Sequence, residues 1–351
     1  MNLSFLYFSC VITISNSFRI QTGQKLSFLC TASKSGLKNT ASEKLGSIRA
    51  QYQAIKMISN DLKTQLSADI SKSIDNSFVG TSWSGGWAGG GGASVGVLRD
   101  DTSEKEFFCK IGNMGSFDML CAEYNGIKDM YNTKTIRVPK PICFGNEGYN
   151  SYAVFERLNL GGSGSGEAMG KKLAEMHKHT SPDGMYGWRL NNTIGATFQP
   201  NQPMSSWAEF WDTQRLGHML QLCKRDGAEF PEEIKLRKKV KEMLSGHDCV
   251  PSLVHGDLWS GNAAHTKEGD PVIFDPATYY GDREVDIAMT YLFGAFSKKF
   301  YDSYNNSWPL PEGHEQRKVI YNLYHILNHY VLFGGGYLGQ AQSMIGRILA
   351  F

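Results

Sequence analysis

Apolar residues recur at threes and fours along most of the chain and at twos in a few short stretches, which predicts many helices and some brief strands. From Glu43 to Ser71, Leu45, Ile48, Tyr52, Ile55, Ile58, Leu62 and Leu66 fall on one helical face with mixed charge between them. Strands are expected at Glu106–Ile111, Ser151–Leu158 and Pro271–Phe274. Helices are expected at Ser116–Tyr131, Gly166–His179, Ser205–Leu222, Glu232–Leu244 and Glu284–Phe296, then at Tyr301–Tyr304, His314–Leu332 and Leu338–Ile348. The segment from Gly184 to Trp211 is rich in Asn, Gly and aromatic residues and has little helical period. No apolar run approaches the length that spans a bilayer.

Composition narrows the possibilities. The 351 residues can form two lobes around ample core. A net charge of +2 gives no reason to expect a nucleic-acid partner. The seven cysteines are scattered, with no CxxC pair and no metal-ligand spacing, as in a reduced intracellular protein. Residues 1–45 stand apart. A short apolar segment, Leu3 to Ile14, precedes a Ser-rich basic stretch that has no acidic residue before Glu43. This composition suits a targeting presequence, of plastid type if both halves count and of mitochondrial type if only the second does. A cytoplasmic location is the alternative.

Candidate chemistry concentrates between Leu253 and Asp275, LVHGDLWSGNAAHTKEGDPVIFD. Asp257 and Asn262 are five apart, the interval between the catalytic Asp and the metal-binding Asn of a kinase catalytic loop. The Pro271–Phe274 strand delivers Asp275 as a second magnesium ligand. Magnesium takes hard oxygen donors, mostly from phosphates and water, so one Asn and one Asp suffice. Taken singly, HGD is a common turn, Asn262 a turn former and Asp275 a strand end; the three in this order point to phosphoryl transfer.

HGDLWSGN followed by FDPATYYGDREVDIAM resembles the fructosamine-kinase (ketosamine-3-kinase) family from about Phe78 to the C-terminus. The resemblance implies an α+β, bilobal protein-kinase-like fold, with a small β-rich N-lobe over residues 46–158 and a larger helical C-lobe over 159–351. It also implies ATP, Mg2+ and a ketosamine acceptor, with a ribulosamine or erythrulosamine preferred to a fructosamine. Asp257 would be the catalytic base, and Asn262 and Asp275 the metal ligands. For ATP, the resemblance implies a glycine turn at Gly89, Gly90, Gly91 and Gly92, Lys110 on the phosphates and Glu123 as its partner. Backbone groups around Glu156, Arg157 and Leu158 would meet adenine. Acceptor contacts fall to Trp259, Asn191, Asn192, Trp207, Asn328 and His329. His177 is expected to hydrogen-bond or pack, and Asp282 and Asp286 to cap a helix or brace the catalytic loop. A monomer is expected. The alternatives are a kinase of another small molecule, such as an aminoglycoside or choline, and an inactive nucleotide-binding scaffold.

Overall fold

The computed structural model describes residues 58–87 and 93–351. The expected presequence, the start of the first helix and the glycine turn at Gly89–Gly92 lie outside the described residues.

Helix α1 (Asn60–Ile74) begins where the Ser59 hydroxyl accepts the Leu62 N–H at 3.2 Å, an N-cap that satisfies one orphan donor. Its buried residues, Leu62, Leu66 and Ile70, are spaced by four and form one stripe. That stripe lies on a five-stranded antiparallel sheet built from β1 (Ser82–Trp87), β2 (Ser94–Arg99), β3 (Glu106–Asn113), β4 (Pro141–Glu147) and β5 (Asn150–Glu156), in spatial order β1-β2-β3-β5-β4. Period-two alternation decides what each face of β3 carries. Phe107, Cys109 and Ile111 join the α1 cluster, whereas Phe108 packs with the opposite cluster, and Lys110 shares its face. Helix α2 (Phe117–Thr133), inserted between β3 and β4, buries Leu120, Ile127 and Met130 against that second face.

After β5 the chain crosses to a mainly helical region. Helix α3 (Gly166–His177), capped by Ser165, packs on a later helix. A small hairpin, β6 (Asn192–Ile194) with β7 (Thr197–Gln199), occupies the segment that lacked helical period. The expected helix Ser205–Leu222 is divided. Helix α4 (Trp207–Phe210) runs into a π-helical turn, Trp211–Leu216, before α5 (Gly217–Arg225). The wider turn places Trp211, Asp212, Arg215 and Leu216 all inward, more than an α-helical stripe would carry. Helix α6 (Glu233–Ser245) follows.

Short ribbons then frame the chemistry: β8 (Ser252–Val254) pairs with β11 (Tyr279–Gly281), and β9 (Ala263–His265) with β10 (Pro271–Ile273). Helix α7 (Glu284–Thr290) stops six residues short of the expected Phe296; beyond it Gly294 takes a φ of +104° in a turn. Helix α8 (Lys298–Ser307) is longer than the apolar pattern suggested, because the Ser297 hydroxyl caps it from outside that pattern. Helix α9 (His314–Phe333) is buried from Val319 to Asn328 on every side and forms the axis of the helical region, with α10 (Tyr337–Ala350) beside it. Thus the architecture is α+β, with a sheet-rich N-terminal part and a helical C-terminal part. No helix among the described residues is long and apolar enough to cross a membrane.

Candidate active site

Two structural regions converge on one cluster. From β3, the Lys110 ammonium lies 2.6 Å from Glu123 of α2 and 2.8 Å from Asp275. Burial works against the Lys110 charge, but the Asp275 and Glu123 carboxylates more than offset it and push its pKa up. For Glu123 burial dominates and raises the pKa, with Lys110 opposing. One cation between two carboxylates leaves one negative charge uncompensated, which suits a site built to receive a further cation.

Asp275 follows β10 and takes a left-handed φ of +58°, an uncommon conformation for a residue with a side chain. It is held from several directions. The Asn262 Nδ2 donates to the Asp275 carbonyl at 3.3 Å, to the Asp257 carbonyl at 2.9 Å and to Asp257 Oδ2 at 3.1 Å. Three acceptors around Nδ2 fix the orientation of the amide and leave Asn262 Oδ1 as its oxygen donor. Asn262 Oδ1 and the one-third exposed Asp275 carboxylate are hard oxygen donors, and this donor set fits magnesium.

The backbone of His255 and Gly256 is braced from beneath. Asp286, fully buried on α7, accepts the His255 N–H at 2.7 Å and the Gly256 N–H at 2.8 Å, while His177 lies 3.0 Å from the same carboxylate. Burial works against the Asp286 charge, but the hydrogen bonds from His177 and the His255 N–H outweigh it and hold the pKa below the usual range. His255 is a neutral strut: burial lowers its pKa, its Nδ1 accepts the Asp257 N–H at 3.2 Å, and its Nε2 donates to the Phe274 carbonyl at 2.9 Å. Gly256 sits at φ +80°, and a Cβ there would fall 2.2 Å from the Ala277 carbonyl oxygen, so only glycine fits this turn. Asp257 is left facing the cluster. Burial, with the nearby Asp275 charge, pushes its pKa up from 3.8 to about 7.

The candidates read from sequence separate into groups. Lys110, Glu123, Asp257, Asn262 and Asp275 come together. Glu156 and Arg157 lie at the crossing between the two regions. The Glu156 side chain binds Arg137 at 2.7 Å and the Lys140 N–H at 3.1 Å, and Arg157 pairs with Glu106. Leu158 is half-buried just beyond. Trp259 lies edge-on to Phe293 at 6.3 Å, and Phe293 lies 4.6 Å from the His329 ring, so a partly exposed aromatic row starts two residues after Asp257.

Three other acceptor candidates are placed differently. Trp207 is 4% exposed, packed among Tyr186, Phe210, Trp211 and Tyr321, and its indole N–H donates to Tyr321; this is a core position, not a surface for stacking a sugar. Asn192 is buried and donates to the Thr278 carbonyl, while its oxygen accepts from Gln199 and Asn201, so it supports the segment after Asp275. Asn328 is buried on α9 and donates to the Ile194 carbonyl. The exposed Asn191 accepts the Asn201 N–H and anchors a turn.

Sequence reasoning missed the scaffold beneath Ala277 and Thr278. Gln199 donates to the Ala277 carbonyl and accepts from Tyr324, while Arg215 donates to Asn201 Oδ1 at 2.6 Å with its guanidinium 4.1 Å from the Tyr279 ring. A buried Gln and a buried Arg leave no local signal, since each finds its partners far along the chain. Phe293 was missed because the helix was expected to run through it.

The chain is similar to known proteins over most of its length. The fructosamine kinase family model matches residues 65–351, beginning thirteen residues before the resemblance read from sequence. A probable ketoamine kinase of Synechocystis sp. is 48% identical over 248 residues, 70% of this chain and 84% of that protein. The chloroplastic protein-ribulosamine 3-kinase of Arabidopsis thaliana is 40% identical over 265 residues, 74% of this chain and 81% of that one. The crystal structure of a protein assigned as a fructosamine-3-kinase from Haemophilus somnus 129PT superposes with a TM-score of 0.75 at 30% identity, covering 82% of this chain and 99% of that one. An ethanolamine kinase from Plasmodium vivax shares the fold alone, with a TM-score of 0.51 at 13% identity over 90% of this chain and 95% of that one.

Proposed function

The chain belongs to the fructosamine kinase family, and we propose that it transfers the γ-phosphoryl group of ATP to a hydroxyl on the sugar portion of a ketosamine, free or protein-bound, with a ribulosamine or erythrulosamine preferred. The observation that carries this reading is the convergence of Lys110, Glu123, Asp275, Asn262 and Asp257 from four separate parts of the chain. Curated relatives named ketoamine kinase and protein-ribulosamine 3-kinase support the acceptor class.

Phosphoryl transfer asks for positioning and charge neutralisation more than for covalent chemistry. Lys110 orients the ATP phosphates, with Glu123 fixing its ammonium. Asn262 Oδ1 and the Asp275 carboxylate would hold magnesium, which supplies charge neutralisation on the phosphates when bound. Asp257 accepts the proton of the acceptor hydroxyl and points it for in-line attack, and its raised pKa makes it a better base near neutrality than an ordinary carboxylate. On this reading the aromatic row Trp259, Phe293 and His329, which starts two residues after Asp257, is assigned to the sugar. The phosphorylated adduct then eliminates inorganic phosphate from its sugar, and water hydrolyses the remaining carbon–nitrogen linkage to free the amine, a deglycation repair.

The test is a panel of ribulosamine, erythrulosamine and fructosamine derivatives with Mg-ATP, and choline and an aminoglycoside as controls, read as ADP release and product mass. A phosphorylated ketosamine that loses its amine is expected, with no turnover by Asp257→Asn although it still binds nucleotide. Wild-type-like turnover by that variant, or phosphorylation of a control alone, would overturn the assignment. Binding of ATP with no acceptor phosphorylated would favour the scaffold reading. The Ser-rich, acid-poor first 45 residues and the chloroplastic naming of the Arabidopsis relative favour delivery to a plastid. A fluorescent fusion of residues 1–45 that stays in the cytosol of a plant cell would refute this.

A further inference from the structure

We propose that His247, Cys249 and Asp282 form a binding site for one zinc-like divalent cation, separate from the phosphoryl-transfer cluster. One imidazole nitrogen of His247, the Cys249 Sγ and one carboxylate oxygen of Asp282 all lie within 4.8 Å of one another. Donors held by a tetrahedral zinc ion at ~2.0–2.3 Å are about 3.3–3.8 Å apart, so modest side-chain rotations bring these three onto one ion. The His247–Asp282 pair, now at 2.9 Å, needs only to open slightly.

The surroundings are prepared for it. His247 and Asp282 are 4% and 2% exposed in their side chains, so ligands would not have to be stripped of much water. The Asp282 carboxylate is oriented by the Tyr321 hydroxyl at 2.5 Å and by the Glu284 N–H at 3.1 Å, the kind of outer hydrogen bonding that aims a metal ligand. Glu284 lies 3.7 Å from His247 Nε2 and is itself clamped by Arg317 through two hydrogen bonds. A cleft of about 200 Å³ opens beside the three residues and leaves room for water in a fourth position. Ser252, fully buried, lines this cleft, and its hydroxyl has no hydrogen-bond partner. This hydroxyl therefore has hydrogen-bonding capacity to offer a water held by an ion at His247, Cys249 and Asp282.

The donor set chooses the ion. Imidazole, thiolate and carboxylate suit a borderline-soft cation, whereas magnesium prefers the all-oxygen pair Asn262 and Asp275. A thiolate and a carboxylate also neutralise two positive charges. The position has a structural consequence. The ion would tie the loop after α6 to the turn before α7, at one end of the β8–β11 ribbon. The other end of β8 runs straight into His255-Gly256-Asp257.

The test uses the full chain, freed of metal with a chelator, then loaded with zinc or cobalt(II). One zinc per chain is expected after gel filtration, with a melting temperature that rises with zinc. Cobalt should give a sulfur-to-metal charge-transfer band. Cys249→Ser should lose that band and weaken zinc binding at least about tenfold, with His247→Gln behaving likewise, while Cys10→Ser/Cys30→Ser keeps both. Absence of the charge-transfer band in the wild-type chain overturns the proposal without any variant. Full zinc and an unchanged cobalt spectrum in Cys249→Ser would also overturn it, by placing the ion elsewhere.

Discussion

Replacing Asp257 by Asn should stabilise the fold increasingly as pH rises, because the candidate base is held in a place that disfavours its charge. In the folded chain Asp257 keeps its proton up to about pH 7, whereas the unfolded chain releases it near 3.8. Between those values the folded state binds more protons, so this group's contribution to stability falls as pH rises and is fully lost above pH 7. A shift of about three units, at ~1.36 kcal/mol each, sets an upper bound of about 4 kcal/mol. The carboxylate keeps some contact with water, so a penalty of about 1–3 kcal/mol is expected above neutrality. The amide introduced by Asp257→Asn cannot ionise and escapes this penalty, and its oxygen can still accept from Asn262. Urea unfolding of both proteins, followed by tryptophan fluorescence at about pH 5 and about pH 8 without nucleotide or magnesium, measures the difference. The variant's advantage should be small at the lower pH and grow by about 1–2 kcal/mol at the higher. An advantage that is absent, or equal at both values, would refute the reasoning that burial raises this carboxyl.

Two further perturbations test the framework around it. Asp286→Asn leaves one acceptor oxygen for the two backbone N–H groups of His255 and Gly256. It should cost about 1.5–3 kcal/mol in unfolding free energy, and lower kcat by about ten- to a hundredfold with little change in KM for ATP, as for a base displaced without loss of nucleotide contacts. A proportionate rise in that KM with kcat intact would argue against a bracing role. Lys110→Met removes the cation between Glu123 and Asp275. It should raise KM for ATP at least about tenfold and lower stability by about 1–3 kcal/mol at neutral pH, the stability loss shrinking as acid protonates the stranded carboxylates. Unchanged nucleotide affinity would remove Lys110 from the ATP site.

The chain's own residues determined a good deal. The fold brings Lys110, Glu123, Asp257, Asn262 and Asp275 together. Lys110 and Glu123 were picked out by family resemblance, whereas Asp257, Asn262 and Asp275 could be picked out as one group because they lie in short-range order, an interval of five and a strand ending in an acid. Helices with an uninterrupted apolar stripe, such as α6 and α9, were legible for the same reason. The tertiary structure decided what local pattern cannot encode. Whether Trp207 and Asn192 face a ligand or the core depends on what covers them, and Tyr321 and Thr278, more than eighty residues away, cover both. The same holds for Asp286, whose two acceptor oxygens find their partners only when α7 packs beneath His255 and Gly256. Burial is a property of the assembled chain. So is the raised pKa of Asp257, and so is the meeting of His247, Cys249 and Asp282, which no spacing in the sequence announces.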